Sequence, residues 1–154
     1  MPELNSTLRS AAVLIGRLLL AVLFVHQGYA YVGDYASVED YMAQFGVSSS
    51  LLPLVILTEL GGGLLIAFGG FTRAAAIALA GFALLTAWFF HRGDDADALI
   101  QFQKNLAIAG GFLVLAANGA GAWSLDALFE ARLRTGRADG AVRDEVGGAV
   151  GSRE

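Results

Sequence analysis

Glu59 is the only charged residue in the run LLPLVILTELGGGLLIAFG, from Leu51 to Gly69. A carboxylate in so apolar a stretch can accept hydrogen bonds, pair with a cation or carry a proton, and each role needs a partner close by. The side chains able to supply one are few. Lys104 and Asn105 interrupt a second apolar stretch, His26 and Gln27 a third, and Trp88 and His91 stand at the end of a fourth. Lys and Asn donate hydrogen bonds, imidazole donates, accepts or moves a proton, and Trp stacks or donates one bond. These groups suit a carbonyl-bearing or redox-active small molecule that takes up protons with electrons. No residue is assigned a catalytic role. With no cysteine among 154 residues, disulfides, thiolate metal ligands and catalytic thiols are excluded.

The elements that must position these groups follow from composition. Hydrophobic residues make up 56% of the chain and charged residues 16%, with a mean hydropathy of +0.60. A water-soluble domain of this size is rarely so apolar. The apolar residues form blocks whose lengths approach the roughly 20 residues needed to cross a bilayer. The fourth block is short at Leu106–Ala117, but Leu99, Ile100 and Phe102 extend it at helical spacing. Asp94, Asp95 or Asp97 then caps it. The expectation is an all-α integral membrane protein: a bundle of four transmembrane helices near 11–32, 51–70, 73–91 and 97–118. A short cytoplasmic segment, 1–10, precedes the membrane domain (11–130). Residues 131–154 read as a solvated, disordered tail. Arg17 inside the first block, with no A-x-A-like site after it, argues against a cleaved signal peptide.

Arginine asymmetry orients the bundle. Arg9, Arg17, Arg73, Arg132, Arg134 and Arg137 fall on one side, whereas Arg92 and Lys104 fall on the other among many acidic residues. Both termini are therefore expected in the cytoplasm and the protein in the cytoplasmic (inner) membrane. A rise of 1.5 Å per residue puts Glu59 roughly 12 Å and Lys104 roughly 10 Å below the outer ends of their helices. His26 and His91 belong to the same outer half. One polar layer, His26, Gln27, Glu59, Trp88, His91, Lys104 and Asn105, is thus drawn from all four helices.

Two readings compete for it. In one, Glu59 and Lys104 form a buried clasp that fixes helix pairing, and the protein is a non-catalytic membrane partner or assembly factor. In the other, the layer binds a small polar or redox-active molecule. A quinone headgroup suits it, since its carbonyls accept bonds from Lys, His or Asn while its tail dissolves in lipid. Gly62 and Gly63 beside Glu59, and Gly110 and Gly111 on the fourth helix, are the small residues expected to let helices approach closely. His26 and His91 lie in no haem motif, so haem is not expected. The GDDAD run (Gly93–Asp97) lacks the spacing of a calcium loop, so no metal site is expected either. Nothing basic supports nucleic-acid binding. Lipid is the expected partner, with a redox protein or further copies of the chain as candidates.

Four stretches carry a family resemblance: IGRLLLAVLF (Ile15–Phe24), TELGGGLLIAFGGFTRAAA (Thr58–Ala76), the third-helix end with His91, and FQKNLAIAGGFLVL (Phe102–Leu115). The chain resembles the DoxX family of small bacterial and archaeal membrane proteins. The resemblance implies four membrane helices and a link to oxidoreductase systems, since some relatives look like subunits of thiosulfate:quinone oxidoreductase. Distant relatives are thought to be assembly helpers. By position, the family's motif residues are Arg17, Glu59, Arg73, His91, Lys104 and Asn105. Where many members have S-G-x-x-K after the first span, this chain has Gln27-Gly28-Tyr29-Ala30-Tyr31, with Tyr31 in place of the basic residue.

The longest connection, Gly33–Ser50, is the natural lid. Val38, Tyr41, Met42 and Phe45 recur at helical spacing and predict a short helix over about 38–46, lying on the bundle. Beneath it a cavity is expected, lined by His26, Gln27, Glu59, Trp88, His91 and Lys104.

Overall fold

A computed structural model of the chain describes residues 2–93, 95–135 and 137, and among these every regular element is helical. In chain order the helices are α1 (Pro2–Gly33), α2 (Tyr35–Gln44), α3 (Ser49–Phe68), α4 (Thr72–Phe90) and α5 (Ala96–Asn118). Four of them, α1, α3, α4 and α5, are long and apolar enough to cross a membrane. The four-helix membrane bundle read from the sequence is therefore the architecture found. The first helix begins well before residue 11, at Pro2. Residues 125–135 form a further helix beyond α5, reaching past Ala131 into the expected tail; most of the remainder of that tail lies outside the described residues.

The connections α3–α4 and α4–α5 are a few residues each, which forces antiparallel neighbours. Helix α1 packs on α3, and α4 packs most extensively on α5. Between them lies a small core of Phe24, Ile66, Leu79 and Phe112 with alanines 21, 75, 76, 80, 83 and 109. Phe24 meets Phe112 edge-on at 5.2 Å and Phe82 at 6.4 Å. Alanine at 76, 80, 83 and 87 on one face of α4 brings the helix axes close. Large apolar side chains such as Leu19, Val22, Leu57 and Leu85 point outward. In water this would be an inverted protein. In lipid it is the expected arrangement, because association there rests on close packing rather than on hiding apolar surface.

Two glycines set the α1–α3 distance. A Cβ on Gly28 would sit 2.7 Å from the Leu60 backbone nitrogen, and one on Gly63 would sit 2.9 Å from a Val25 methyl. Gly62 faces Leu79 at 3.1 Å, on the α4 side. Gly111 makes ordinary contact with Leu20. Gly110 differs from expectation: nothing lies within 4 Å of its Cβ position, because it faces away from the bundle.

The end of the bundle that carries the N-terminal half of α1 is tied by polar contacts. The Arg17 guanidinium is buried (2% exposed) and donates to the carbonyls of Ala120 at 2.7 Å and Trp123 at 2.9 Å. Gly69 closes α3 in the left-handed conformation (φ 70°), and any Cβ there would collide with that guanidinium and with Ser124. The first turn of α4 is capped from a distance: Phe71 and Thr72 backbone N–H groups donate to the Asp126 carboxylate at 2.7 and 3.0 Å. Arg73 lies against the turn at Gly119. Of the two family-motif arginines, Arg17 thus binds the segment after α5 and Arg73 lies beside its first residue.

Candidate functional site

At the other end, α2 lies across the bundle and covers a cavity. The predicted lid helix is present, slightly earlier than its spacing suggested, and Met42 is its buried residue. An aromatic trio anchors it. Tyr41 stacks on Phe90 at 5.5 Å with an interplanar angle of 14°, and Phe45 meets Phe90 edge-on at 5.2 Å. Burial raises the Tyr41 phenol above its usual range, so it stays neutral.

The cavity beneath has a volume of about 710 Å³, within the roughly 300–1,000 Å³ typical of small-molecule sites. Its wall is largely apolar and aromatic, with Phe24, Phe82, Phe89, Phe90 and Tyr41. Into it project Gln27 and Tyr31 from α1, Thr58 and Glu59 from α3, Thr86 from α4, His91 after it, and Gln101, Lys104 and Asn105 from α5. A few polar groups converging within an apolar shell is the arrangement that orients a ligand.

Glu59 holds the centre of a π-helical turn, Leu57–Gly61, set between the regular halves of α3. A π-turn widens the helix by one residue and occurs often at functional sites. Here it carries a glutamate that is 5% exposed. The Oε2 atom is buried without a hydrogen-bond partner. An unpartnered buried carboxyl oxygen costs stability, and its persistence calls for an explanation.

The expected clasp is not formed. No ion pair joins Glu59 to Lys104; Lys104 Nζ instead donates to Gln101 Oε1 at 3.2 Å. The physical reason is placement. Lys104 is an exposed residue of α5. Its ammonium turns along its own helix to Gln101, which avoids desolvating two ions together. Asn105 Nδ2 donates to the Gln101 carbonyl one turn back at 3.1 Å. Glu59, Lys104 and Asn105 share a cavity, not a bond.

Two other expected lining residues are also displaced. The face of α1 turned to the cavity holds Phe24, Gln27 and Tyr31, so His26 falls on the outward side and is exposed. Trp88 is 55% exposed and stacks under the Arg92 guanidinium, 3.7 Å from its ring centroid. It lies one residue past Ala87, which marks the buried face of α4. His26 and His91 therefore do not share a site. His91 does line the cavity, and burial lowers its pKa from 6.5, leaving a neutral imidazole at pH 7. The acidic run after it serves as a cap: Asp95 accepts from the Ala98 N–H at 2.8 Å, and Asp94 lies outside the described residues.

Tyr31, Thr58, Thr86 and Gln101 were not singled out for the site from sequence. Gln101 was findable, because Gln101, Lys104 and Asn105 form one i, i+3, i+4 stripe. Tyr31 fills the position where the family pattern has a lysine. Here it shares the cavity with Gln27 and Glu59. The basic group of that pattern is replaced by a neutral phenol.

Comparison with known proteins agrees with the membrane-helix fold. The DoxX family model matches residues 12–92. The chain is 47% identical over 123 residues to inner membrane protein YqjF of Escherichia coli (strain K12), covering 79% of this chain and 94% of that one. It is 35% identical over 126 residues to inner membrane protein YphA of the same organism, covering 77% and 90%. No solved structure matches it significantly. A match over more than half the chain, with relatives aligned over nearly their full length, places this protein in the DoxX family.

Proposed function

We propose that the cavity beneath α2 binds the headgroup of a quinone and that the protein serves an oxidoreductase system as its membrane subunit. The observation that carries this reading is Glu59: a residue only 5% exposed, held by a π-turn, with one buried carboxyl oxygen lacking a partner beside an apolar cavity of ligand size. A quinone carbonyl accepts a bond from the Lys104 ammonium or the Gln27, Gln101 and Asn105 amides. The reduced form offers a hydroxyl to a Glu59 carboxyl oxygen or to the neutral His91 imidazole, and the imidazole, or Glu59 in its ionised form, can take up the proton when electrons pass to a redox partner. The aromatic walls match a planar ring. The scaffold alternative needs a Glu59–Lys104 pair, which the described residues do not form.

The test is binding of a short-chain, water-soluble quinone to purified protein in nanodiscs, followed by calorimetry, with solvent extraction of any quinone that co-purifies. Saturable one-to-one binding is expected. A hydrogen bond to a charged group contributes about 1.5–3 kcal/mol, so Glu59→Gln and Lys104→Met should each weaken affinity by roughly ten-fold or more. Uptake no greater than partition into empty nanodiscs would end the reading.

A further inference from the structure

Beyond the cavity, at the opposite end of the bundle, residues 125–135 form a helix whose composition matches neither a buried element nor a solvated tail. Leu125, Leu128, Phe129 and Leu133 recur at helical spacing and share one face, exposed at 41%, 62%, 58% and 70%. Arg134 and Glu130 occupy the other side. Arg132 falls within the apolar arc, between Leu128 and Leu125 on the helical wheel.

The root of this helix is fixed. Arg17 holds the Trp123 carbonyl, the Ser124 hydroxyl accepts from the Ala127 N–H at 3.1 Å, and Asp126 caps the start of α4. These bonds place the helix where α3 ends and α4 begins, at the level where the apolar bundle surface stops. The apolar face is also continuous with the lipid-facing surface. Leu125 lines a groove of about 450 Å³ along α3 together with Leu57, Leu64, Leu65 and Phe68.

We infer that the helix formed by residues 125–135 lies in the interface of the leaflet at this end of the bundle and binds the headgroups of anionic phospholipids through its Arg132 and Arg134 and the adjacent Arg137. The apolar face enters the acyl region, as in other amphipathic helices held at a membrane surface. Arg132 lays its stem among the acyl chains and returns its guanidinium to the headgroups. Guanidinium engages phosphate through paired hydrogen bonds, and an anionic headgroup adds a net negative charge that the choline cation cancels in phosphatidylcholine. Against three arginines the helix presents one acid after its root, Glu130. This surface is separate from the cavity, and its test does not depend on the quinone reading.

The native chain lacks cysteine, so single-cysteine spin labels at Phe129, Glu130, Leu133 and Arg134 report cleanly. The full chain is reconstituted in nanodiscs of three parts phosphatidylcholine to one part phosphatidylglycerol. Labels at 129 and 133 should collide readily with oxygen and poorly with a nickel chelate, and labels at 130 and 134 the reverse. Equal, water-like access at all four positions would mean a helix projecting into solvent. Exclusion of both probes at 129 and 133 would mean a protein cover, such as a second copy. Either result overturns the inference. In parallel, the triple variant Arg132→Gln, Arg134→Gln, Arg137→Gln should lose a several-fold preference for spin-labelled phosphatidylglycerol over phosphatidylcholine in the lipid annulus. An unchanged preference would refute recognition of anionic headgroups by these arginines.

Discussion

Replacing Glu59 with methionine should make the ligand-free protein more stable. The side chain is 5% exposed and its Oε2 has no partner. A buried polar group without a hydrogen bond costs about 1–3 kcal/mol, and methionine has similar length and no polar atom to satisfy. Allowing for imperfect packing of the thioether, the expected gain is about 1–2 kcal/mol. Lys104→Met should change stability by no more than about 0.5 kcal/mol, since its side chain is exposed and bonded only to Gln101. The double variant should be additive, as for residues that do not touch. Unfolding in mixed micelles of dodecyl maltoside and SDS, followed by circular dichroism, measures all three. The same Glu59→Met protein should bind a quinone analogue more weakly, so stability and binding move in opposite directions, the pattern expected of a functional site held at a cost to the fold. A stability loss of about 3–5 kcal/mol in Glu59→Met would refute the reasoning, because that is what stranding a buried ion-pair partner costs.

Other expectations follow from the same geometry. Gly28→Ala should destabilise by about 1–3 kcal/mol, since its Cβ would meet the Leu60 backbone, whereas Gly110→Ala, facing open space, should be neutral or stabilising; the same micelle titration compares them. Arg17→Met should cost about 2–4 kcal/mol by leaving the Ala120 and Trp123 carbonyls without their charged donor, with Arg17→Lys intermediate, read by thermal aggregation in detergent. Because burial lowers the His91 pKa from 6.5, the neutral form is favoured by folding. The stability it contributes is full above pH 6.5 and lost as pH falls through the folded value, so wild-type unfolding midpoints should drop between pH 7 and pH 5 more than those of His91→Gln. Reporter fusions at Val47 and after Arg137 should score external and cytoplasmic respectively; the reverse would invert the orientation taken from arginine asymmetry.

The four membrane helices were legible because a bilayer fixes their length and composition at once, leaving blocks of apolar residues that need no knowledge of packing. The lid helix was legible from Val38, Tyr41, Met42 and Phe45, whose spacing encodes a face. Asp95 was within reach as a cap because capping is local. The cavity's membership was only partly readable. Depth along a helix follows from residue number, so Glu59, Lys104 and His91 were assigned to a common layer. Direction around the helix depends on which face the neighbours cover, and His26 and Trp88 were misplaced for that reason. The Leu57–Gly61 π-turn has no compositional mark, since it is a change of hydrogen-bond register. The Asp126 cap of α4 joins residues 54 and 55 positions apart, beyond any local signal. Gly28 and Gly110 look alike in sequence, and only the partner helix distinguishes them.

The Arg17 contacts bear on how the chain is made. Its carbonyl partners lie 103 and 106 residues later, so α1 enters the membrane carrying a guanidinium whose acceptors have not yet been synthesised. An arginine in an inserting span is disfavoured, by about 2.5–3.5 kcal/mol at the centre of the bilayer and by less toward its edge, where Arg17 sits level with the α3–α4 turn; the apolar remainder of α1 must outweigh that deficit during synthesis. Helix α4 is likewise uncapped until Asp126 emerges. Contacts made late in synthesis therefore lock the first spanning helix, and a product stopped before Ala120 keeps an unmatched charge in its first span. That charge distinguishes an unfinished chain from a finished one, which is the kind of feature membrane quality control can act on.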